Sequence, residues 1–245
     1  MIRFGISAAV LTAVVSCTPV QEPVQLHEIY QRDSIRVGIL NSPTSYYVGA
    51  DGPTGYDYEL SVALAEKLGV ELELFPSYQR EELLQKLDSG QVDYIAGGLA
   101  VTESRKQKYR IAPAYLWRNE VLVYRKGQKK PNSFKDVKEP ILVPKDSSLA
   151  ETLTAVQNDY PQLQWQESES EDADELLQQV EDGKIPYTLV DSNLLAVNQR
   201  FFPNLTVAFK VKEQQPVAWL LSNKADDSFW AVLIEFFGQN YQSGD

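Results

Sequence analysis

The sequence is poor in the side chains from which many catalytic and metal centres are built. It contains one cysteine, Cys17, and one histidine, His27. A single cysteine cannot form a disulfide within the chain. A single histidine excludes His-based catalytic triads and clusters of His metal ligands. Because His27 lies in a polar stretch, we expect it to be incidental, and we expect the chain to bind no metal and no cofactor.

Positive charge is also scarce. The 245 residues include 23 Lys and Arg against 34 Asp and Glu, which gives a net charge of −11. Nucleic-acid binding requires basic surfaces that match the phosphates, so this balance argues against a nucleic-acid partner. The length allows one or two domains with a sizeable core. We expect a monomer whose partner is a small molecule.

The amino terminus has the pattern of an export signal. A short basic region with Arg3 precedes the apolar stretch 4–15, which is too short to span a bilayer. Val14-Val15-Ser16-Cys17 resembles a bacterial lipobox and predicts a signal peptide at 1–17, lipidation of Cys17 and a tether at 18–31. The alternative is an ordinary signal cleaved near Ser16. Either way the protein is predicted to be periplasmic, and Thr18 after the cysteine favours anchoring to the outer membrane.

The stretch from Asp93 to Arg105 predicts a site for a small carboxylate. Tyr94-Ile95-Ala96 reads as a short buried strand, and Gly97 and Gly98 follow it. Thr102 then has the properties of a helix N-cap. Arg105 lies one turn into that helix, so its guanidinium can reach back over the glycines, where exposed N–H groups favour an anion. The alternative is a plain strand-to-helix turn with a solvated arginine.

A second copy of the pattern supports the site. Residues 82–98 and 175–191 share Glu, Leu, Leu, Gln, Gly and Tyr at a fixed offset of 93 residues (175 − 82), and Asp191 falls where the first copy has Gly98. Two distant copies predict two lobes of similar structure. If the lobes face each other, Arg105 can bind the carboxylate of an amino acid and Asp191 its ammonium. Alternatively, Asp191 is the N-cap of the following helix, and the two roles are compatible.

Strands alternate with helices along the rest of the chain, which predicts an α/β fold. We predict a first lobe at 32–119, a second lobe at 120–206 and a return to the first lobe at 207–245. The expected strands include 34–40, 70–75, 120–124, 141–143, 205–209 and 216–221, and the expected helices include 57–68, 149–158, 192–200 and 228–237.

Three motifs resemble the family 3 bacterial solute-binding proteins: Gly55-Tyr56-Asp57-Tyr58-Glu59-Leu60, Gly90-Gln91-Val92-Asp93, and Gly98 to Arg105. The resemblance covers Ser34 to the end. It implies the type II periplasmic-binding fold, with two lobes, each a mixed sheet flanked by helices, joined by two crossover strands that act as a hinge. Residues 122–128 and 213–219 resemble one branch, the membrane-bound lytic transglycosylases F, in which a peptidoglycan-cleaving domain follows this module.

The resemblance also implies ligand-binding residues. The family's carboxylate clamp falls on Gly98, Ala100 and Arg105, and the ammonium-binding aspartate falls on Asp191. Ala100 stands where the family usually has threonine, which removes a hydroxyl contact. The remaining candidates are the ligand-stacking aromatics near Tyr46 and Tyr56, the second-lobe anchor Ser147 or Ser148, and Thr102.

The implied function is binding of an amino acid or a short, peptidoglycan-derived peptide. The pair Glu167-Ser168 imitates the catalytic motif of the branch, but it lies in an acidic loop without the downstream motifs, so we interpret it as chance. We therefore expect no catalytic residue in this chain, and we expect it to be the regulatory part of a longer enzyme that acts on peptidoglycan. The alternative is a stand-alone lipoprotein of an ABC importer for amino acids.

Overall fold

The structure, a computed structural model, describes residues 24–169, 172–224 and 226–243. The predicted signal peptide, Cys17 and the first part of the predicted tether, 18–23, lie outside the described residues. Among the helices that are described, none is both long enough and apolar enough to cross a membrane.

The chain alternates between helices and strands from end to end. The helices are α1 Val24–Arg32, α2 Tyr56–Leu68, α3 Arg80–Asp88, α4 Glu103–Lys108, α5 Ser148–Asp159, α6 Ala173–Glu181, α7 Ser192–Asn198 and α8 Asp227–Ser243. The strands are β1 Ser34–Leu40, β2 Tyr47–Gly49, β3 Gly52–Thr54, β4 Glu71–Ser77, β5 Tyr94–Ala96, β6 Tyr109–Ile111, β7 Leu116–Arg125, β8 Ile141–Val143, β9 Trp165–Glu167, β10 Tyr187–Asp191, β11 Leu205–Val217 and β12 Leu220–Ser222.

Two five-stranded sheets follow the same plan and define the two lobes. The first lobe has the order β4-β1-β5-β12-β6, and the second lobe has the order β9-β8-β10-β7-β11. In the first, β1 is parallel to β4 and β5; in the second, β8 is parallel to β9 and β10. The next strand in each sheet is antiparallel to its neighbour: β12 to β5 in the first lobe, and β7 to β10 in the second. This arrangement confirms the predicted two-lobed α/β fold.

The repeated segments have matching backbone structure. Gly90 after α3 and Gly183 after α6 both have φ of 73°, a left-handed conformation that glycine adopts without steric cost. The amide of Gly90 donates to Leu87 O (3.1 Å), and the amide of Gly183 donates to Val180 O (3.0 Å). In each copy the amide of the next residue also bonds five positions back, which completes a Schellman motif. Each helix is thus ended in the same way before a central strand.

The lobes are joined by β7 and β11, which run antiparallel side by side. The strand predicted at 120–124 starts earlier, at Leu116, and the predicted strand at 205–209 continues to Val217 with shifts of register. Since β11 is an edge strand, its polar residues from 210 to 214 are compatible with a continuous strand although they lack an apolar pattern. The predicted lobe boundaries at 120 and 207 fall inside these two strands.

The predicted tether is corrected from Val24 onward, where the chain forms α1. The Asp226 carboxylate accepts hydrogen bonds from the amides of Val24 and Gln25, and Ser228 Oγ accepts one from Leu26. Ile29 is fully buried in the core of the first lobe. The residues that satisfy the first amides of α1 lie about 200 positions away in sequence.

Candidate functional site

A cleft of about 490 Å³ lies between the lobes at the carboxyl ends of parallel strands. The first lobe contributes the chain after β1, the start of α2 and the turn after β5. The second lobe contributes Pro144, the start of α5, the end of β10 and one side of α7. Open α/β sheets bind ligands at these strand ends, and the volume falls in the range of small-molecule sites.

Asp57 supports the turn at Gly98, which lines the cleft on the side of the first lobe. Its buried carboxylate accepts hydrogen bonds from the Gly98 amide (2.8 Å), Ser45 Oγ (2.7 Å), Tyr115 OH (2.5 Å) and Trp219 Nε1 (2.8 Å). Burial raises the pKa of Asp57, and the donated hydrogen bonds oppose that rise. The Gly98 amide is therefore engaged within the protein, and the turn at Gly98, with φ of 59°, is fixed in place.

Arg105 folds back over the glycine turn as predicted. Thr102 caps α4, since its hydroxyl accepts a hydrogen bond from the Arg105 amide (3.3 Å). The Arg105 guanidinium donates from Nη1 to Ala100 O (2.7 Å) and lines the cleft. Burial, together with the positive charges of Arg80 and Arg118, lowers the pKa of Arg105 to about 10. Arg105 remains a cation at neutral pH, in a site where burial strengthens its attraction for an anion.

Ser147 supplies a hydroxyl from the second lobe. It precedes α5 at the N-cap position but makes no capping hydrogen bond with its side chain. Its Oγ is buried, lines the cleft and has no hydrogen-bond partner within the described ranges. Buried polar atoms are nearly always hydrogen-bonded, so Ser147 Oγ is available to a ligand. Ser148 lies beside it in the cleft wall.

Arg118, on β7, connects the two lobes at the cleft. Its Nη1 donates to Gly98 O (2.8 Å) in the first lobe, and its Nε lies 2.7 Å from Asp191 Oδ1 in the second. The Nε–Oδ1 contact does not meet hydrogen-bond geometry, so it is an ion pair rather than a directed hydrogen bond. Burial raises the pKa of Asp191, and the nearby guanidiniums, Arg118 first, oppose that rise.

A second connection crosses between the lobes outside the cleft lining. Glu151 of α5 accepts hydrogen bonds from Ser104 Oγ (2.6 Å) and Thr102 Oγ1 (3.0 Å), both at the start of α4. On β11, Gln215 Nε2 donates to Val101 O (2.7 Å). In the described conformation, polar contacts outside the cleft thus hold the start of α4 to α5 and the preceding turn to β11.

Seven of the nine predicted ligand residues line the cleft, and two do not. Tyr46 is buried in the core of the first lobe, where its ring meets Tyr58 edge-on, while its neighbour Tyr47 lines the cleft. Thr102 is buried as the cap of α4. Asp191 occupies the N-cap position of α7, but its side chain makes no capping bond. The residues that line the cleft are Arg105, Asp191, Gly98, Ala100, Tyr56, Ser147 and Ser148.

The cleft also contains residues that the sequence patterns do not predict. Arg80 stands at the start of α3, and Arg118 is the third residue of β7. Tyr115 lies behind Tyr56 with the rings stacked at 5.8 Å. None of these belongs to a local motif. The only sequence signal for them was indirect, since Arg80 precedes the first copy of the repeat and Arg118 precedes the predicted crossing strand.

Residues 35–245 match the family described as bacterial extracellular solute-binding proteins, family 3. Two similar curated proteins are both named membrane-bound lytic murein transglycosylase F. The protein of Aliivibrio fischeri is 42% identical over 97% of this chain and 49% of its own length. That of Vibrio cholerae is 40% identical over 94% of this chain and 46% of its own length. The chain therefore spans about half the length of the curated relatives it matches.

Solved structures of amino-acid-binding proteins share the fold. A mutant of the arginine-binding protein of T. maritima superimposes with a TM-score of 0.77, at 20% identity over 90% of this chain and 94% of its own. An ancestral amino-acid-binding protein, described as a precursor of cyclohexadienyl dehydratase, superimposes with a TM-score of 0.76, at 22% identity over 89% of this chain and 94% of its own. At this level of identity the likeness establishes the fold alone.

Proposed function

We propose that this chain, which belongs to the bacterial extracellular solute-binding proteins of family 3, binds an amino acid or a short peptide in its cleft. The observation that carries the proposal is the charge of the cleft. Three guanidiniums, from Arg80, Arg105 and Arg118, line the same space as Asp191, and each of them affects the ionisation of that carboxylate. Such a cleft favours a ligand with a carboxylate.

In this proposal Arg105 binds the ligand carboxylate. One N–H of its guanidinium holds Ala100 O, and an arginine presents five donors in a planar fork. Asp191 accepts a hydrogen bond from the ligand nitrogen on the opposite wall, and Ser147 Oγ provides a second polar contact. The exposed rings of Tyr47 and Tyr56 give the ligand an apolar surface.

We further infer that the chain is the regulatory half of an exported, lipid-anchored protein that acts on peptidoglycan. The names and lengths of its curated relatives support this inference. Closure about β7 and β11 would change the activity of the rest of the protein, because a ligand that binds only the closed state shifts the population toward that state. A reading frame that continues past Asp245 into a catalytic domain would agree with this role, whereas a stop codon and a neighbouring permease gene would favour an importer.

The test of the site is Arg105→Ala. The purified protein is dialysed against a mixture of amino acids, dipeptides and tripeptides, and the retained ligand is identified by mass spectrometry and titrated by calorimetry. Two charged hydrogen bonds contribute about 1.5–3 kcal/mol each, so we expect affinity to fall on the order of hundredfold or more.

The matched control is Lys106→Ala, which removes the same charge from an exposed neighbour paired with Glu103. We expect this variant to bind as the wild type does. If Arg105→Ala folds normally by circular dichroism and keeps its affinity, the carboxylate site is somewhere else.

A further inference from the structure

Asp191 faces a cation that belongs to the protein itself. Arg118 Nε lies 2.7 Å from Asp191 Oδ1, and only about a tenth of the Arg118 side chain and a fifth of the Asp191 side chain are exposed. The Arg118 guanidinium is also held by Gly98 O, so it cannot move away without breaking a contact with the first lobe. The negative charge of Asp191 is therefore balanced within the structure.

A ligand ammonium would add positive charge to a cleft that three guanidiniums already line. The Lys, Arg, Asp and Glu residues of the lining are Arg80, Arg105 and Arg118 against Asp57 and Asp191. Asp57 is buried beneath the wall and already accepts four hydrogen bonds. A free α-ammonium at Asp191 would lose its hydration and stand beside Arg118, and repulsion between like charges is strong in a partly buried site.

A neutral N–H donor does not have this disadvantage. Asp191 Oδ1 is buried and has no hydrogen-bond partner within the described ranges, although it touches Arg118. The N–H of an amide can donate to this oxygen without bringing a charge. The cleft volume of about 490 Å³ leaves space for the rest of an acyl group.

We propose that the cleft binds an acylated amino acid, which is the C-terminal residue of a peptide or an N-acyl amino acid, and discriminates against the free amino acid. The carboxylate lies on Arg105 and the amide N–H on Asp191, whose charge Arg118 balances. This inference rests on the proposed function, because it requires the carboxylate on Arg105, and it restricts the ligand class to carboxylates whose own α-nitrogen is acylated.

The test is a competition that covers every common side chain at once. The purified protein is dialysed against an equimolar mixture of the twenty amino acids and their N-acetyl derivatives, and the retained species are counted by mass spectrometry. We expect N-acetyl forms to exceed the matching free forms by at least about tenfold, which is 1.4 kcal/mol. Equal or greater retention of free forms, or retention of neither, overturns the proposal. If free forms are retained and Arg105→Ala abolishes that retention, only this inference fails and the carboxylate site stands.

One variant tests the role of Arg118. Arg118→Met removes the counter-charge of Asp191, and we expect the ratio of acetylated to free ligand to fall by about tenfold. The control Lys184→Met removes the same charge from an exposed site outside the cleft and leaves the ratio unchanged. An unchanged ratio in folded Arg118→Met contradicts the proposal.

Discussion

The two copies of the repeat have the same backbone and different endings. Each copy leaves its helix through a left-handed glycine with the same hydrogen bonds and enters the middle of its sheet. The first copy then ends in Gly98, a piece of backbone held by Asp57. The second ends in Asp191, a carboxylate that faces Arg118. The duplicated scaffold fixes where the cleft lies, and single positions at the strand ends decide its chemistry.

The largest effect is expected from removing Asp57, the carboxylate that holds the end of the first copy. Asp57→Ala leaves four donors without their acceptor, among them the buried Tyr115 and Trp219. We expect the free energy of unfolding to fall by about 3–5 kcal/mol, as when one partner of a buried charged network is removed. Urea denaturation followed by tryptophan fluorescence measures this loss.

The control for Asp57 is Glu59→Ala, which changes an exposed carboxylate on the same helix. Its effect is expected within about 0.5 kcal/mol of zero. If Asp57→Ala and Glu59→Ala lower the free energy of unfolding by similar amounts, Asp57 does not support the Gly98 turn.

A smaller effect tests whether the two copies are equivalent. We expect Gly90→Ala and Gly183→Ala each to lower the free energy of unfolding by about 1–2 kcal/mol, since both force a side chain into the left-handed region. A Cβ at Gly90 meets no atom within 4 Å, whereas one at Gly183 lies 3.3 Å from the flexible end of Arg125. Thermal unfolding should therefore show similar shifts. If the losses in the two variants differ by well above about 1 kcal/mol, the two helix ends do not contribute equally to stability.

Asp191 can also be compared with Glu120, its cross-strand partner on β7. The Glu120 side chain is fully buried, and neither of its oxygens meets hydrogen-bond geometry within the described part of the chain. Burial is the main cause that raises the pKa of Glu120, although Thr152 lies close enough to oppose the rise. Burial raises the pKa of both carboxyls, but only Asp191 of this pair has a direct contact with Arg118.

The third prediction follows from the upward direction of the pKa shift of Glu120. Because the folded state holds the Glu120 proton more tightly than the unfolded chain does, stability falls as pH rises from the ordinary pKa of 4.5 to the raised value. Glu120→Gln carries no charge, so we expect its Tm to exceed that of the wild type at about pH 7. This gain should vanish below the ordinary pKa of 4.5. Exposed Glu139→Gln is the control, and an equal gain in both variants, or a gain that persists in acid, would contradict the assignment.

Local patterns in the sequence were sufficient for much of the fold. The strands at 34–40, 94–96 and 141–143 have the predicted bounds, and the helix predicted from 57 starts one residue earlier. These segments are apolar runs that end at polar turns, or amphipathic runs that end at glycines such as Gly69, with φ of 68°. The position of Arg105 over its turn followed from the N-cap at Thr102, which is also a local signal.

The rest depended on contacts between distant residues. Arg118 reaches Gly98 and Asp191, and the donors of Asp57 come from residues as far apart as 45 and 219. No short window of sequence contains both partners of such a contact. The same reason explains why the sequence predicts a tether where α1 forms: the first amides of α1 are satisfied by residues near the other end of the chain.

The pairing of the two hinge strands has a practical consequence. Leu116 lies opposite Val217, and Trp117 lies opposite Pro216, so the polypeptide leaves the first lobe and returns to it at a single point. The second lobe is thus inserted into the first lobe between two positions that are neighbours in space. A chimera could replace the segment between these two positions with the second lobe of a distant receptor. It would leave the core of the first lobe and Arg105 unchanged, and it would exchange the ligand contacts of the second lobe in one step.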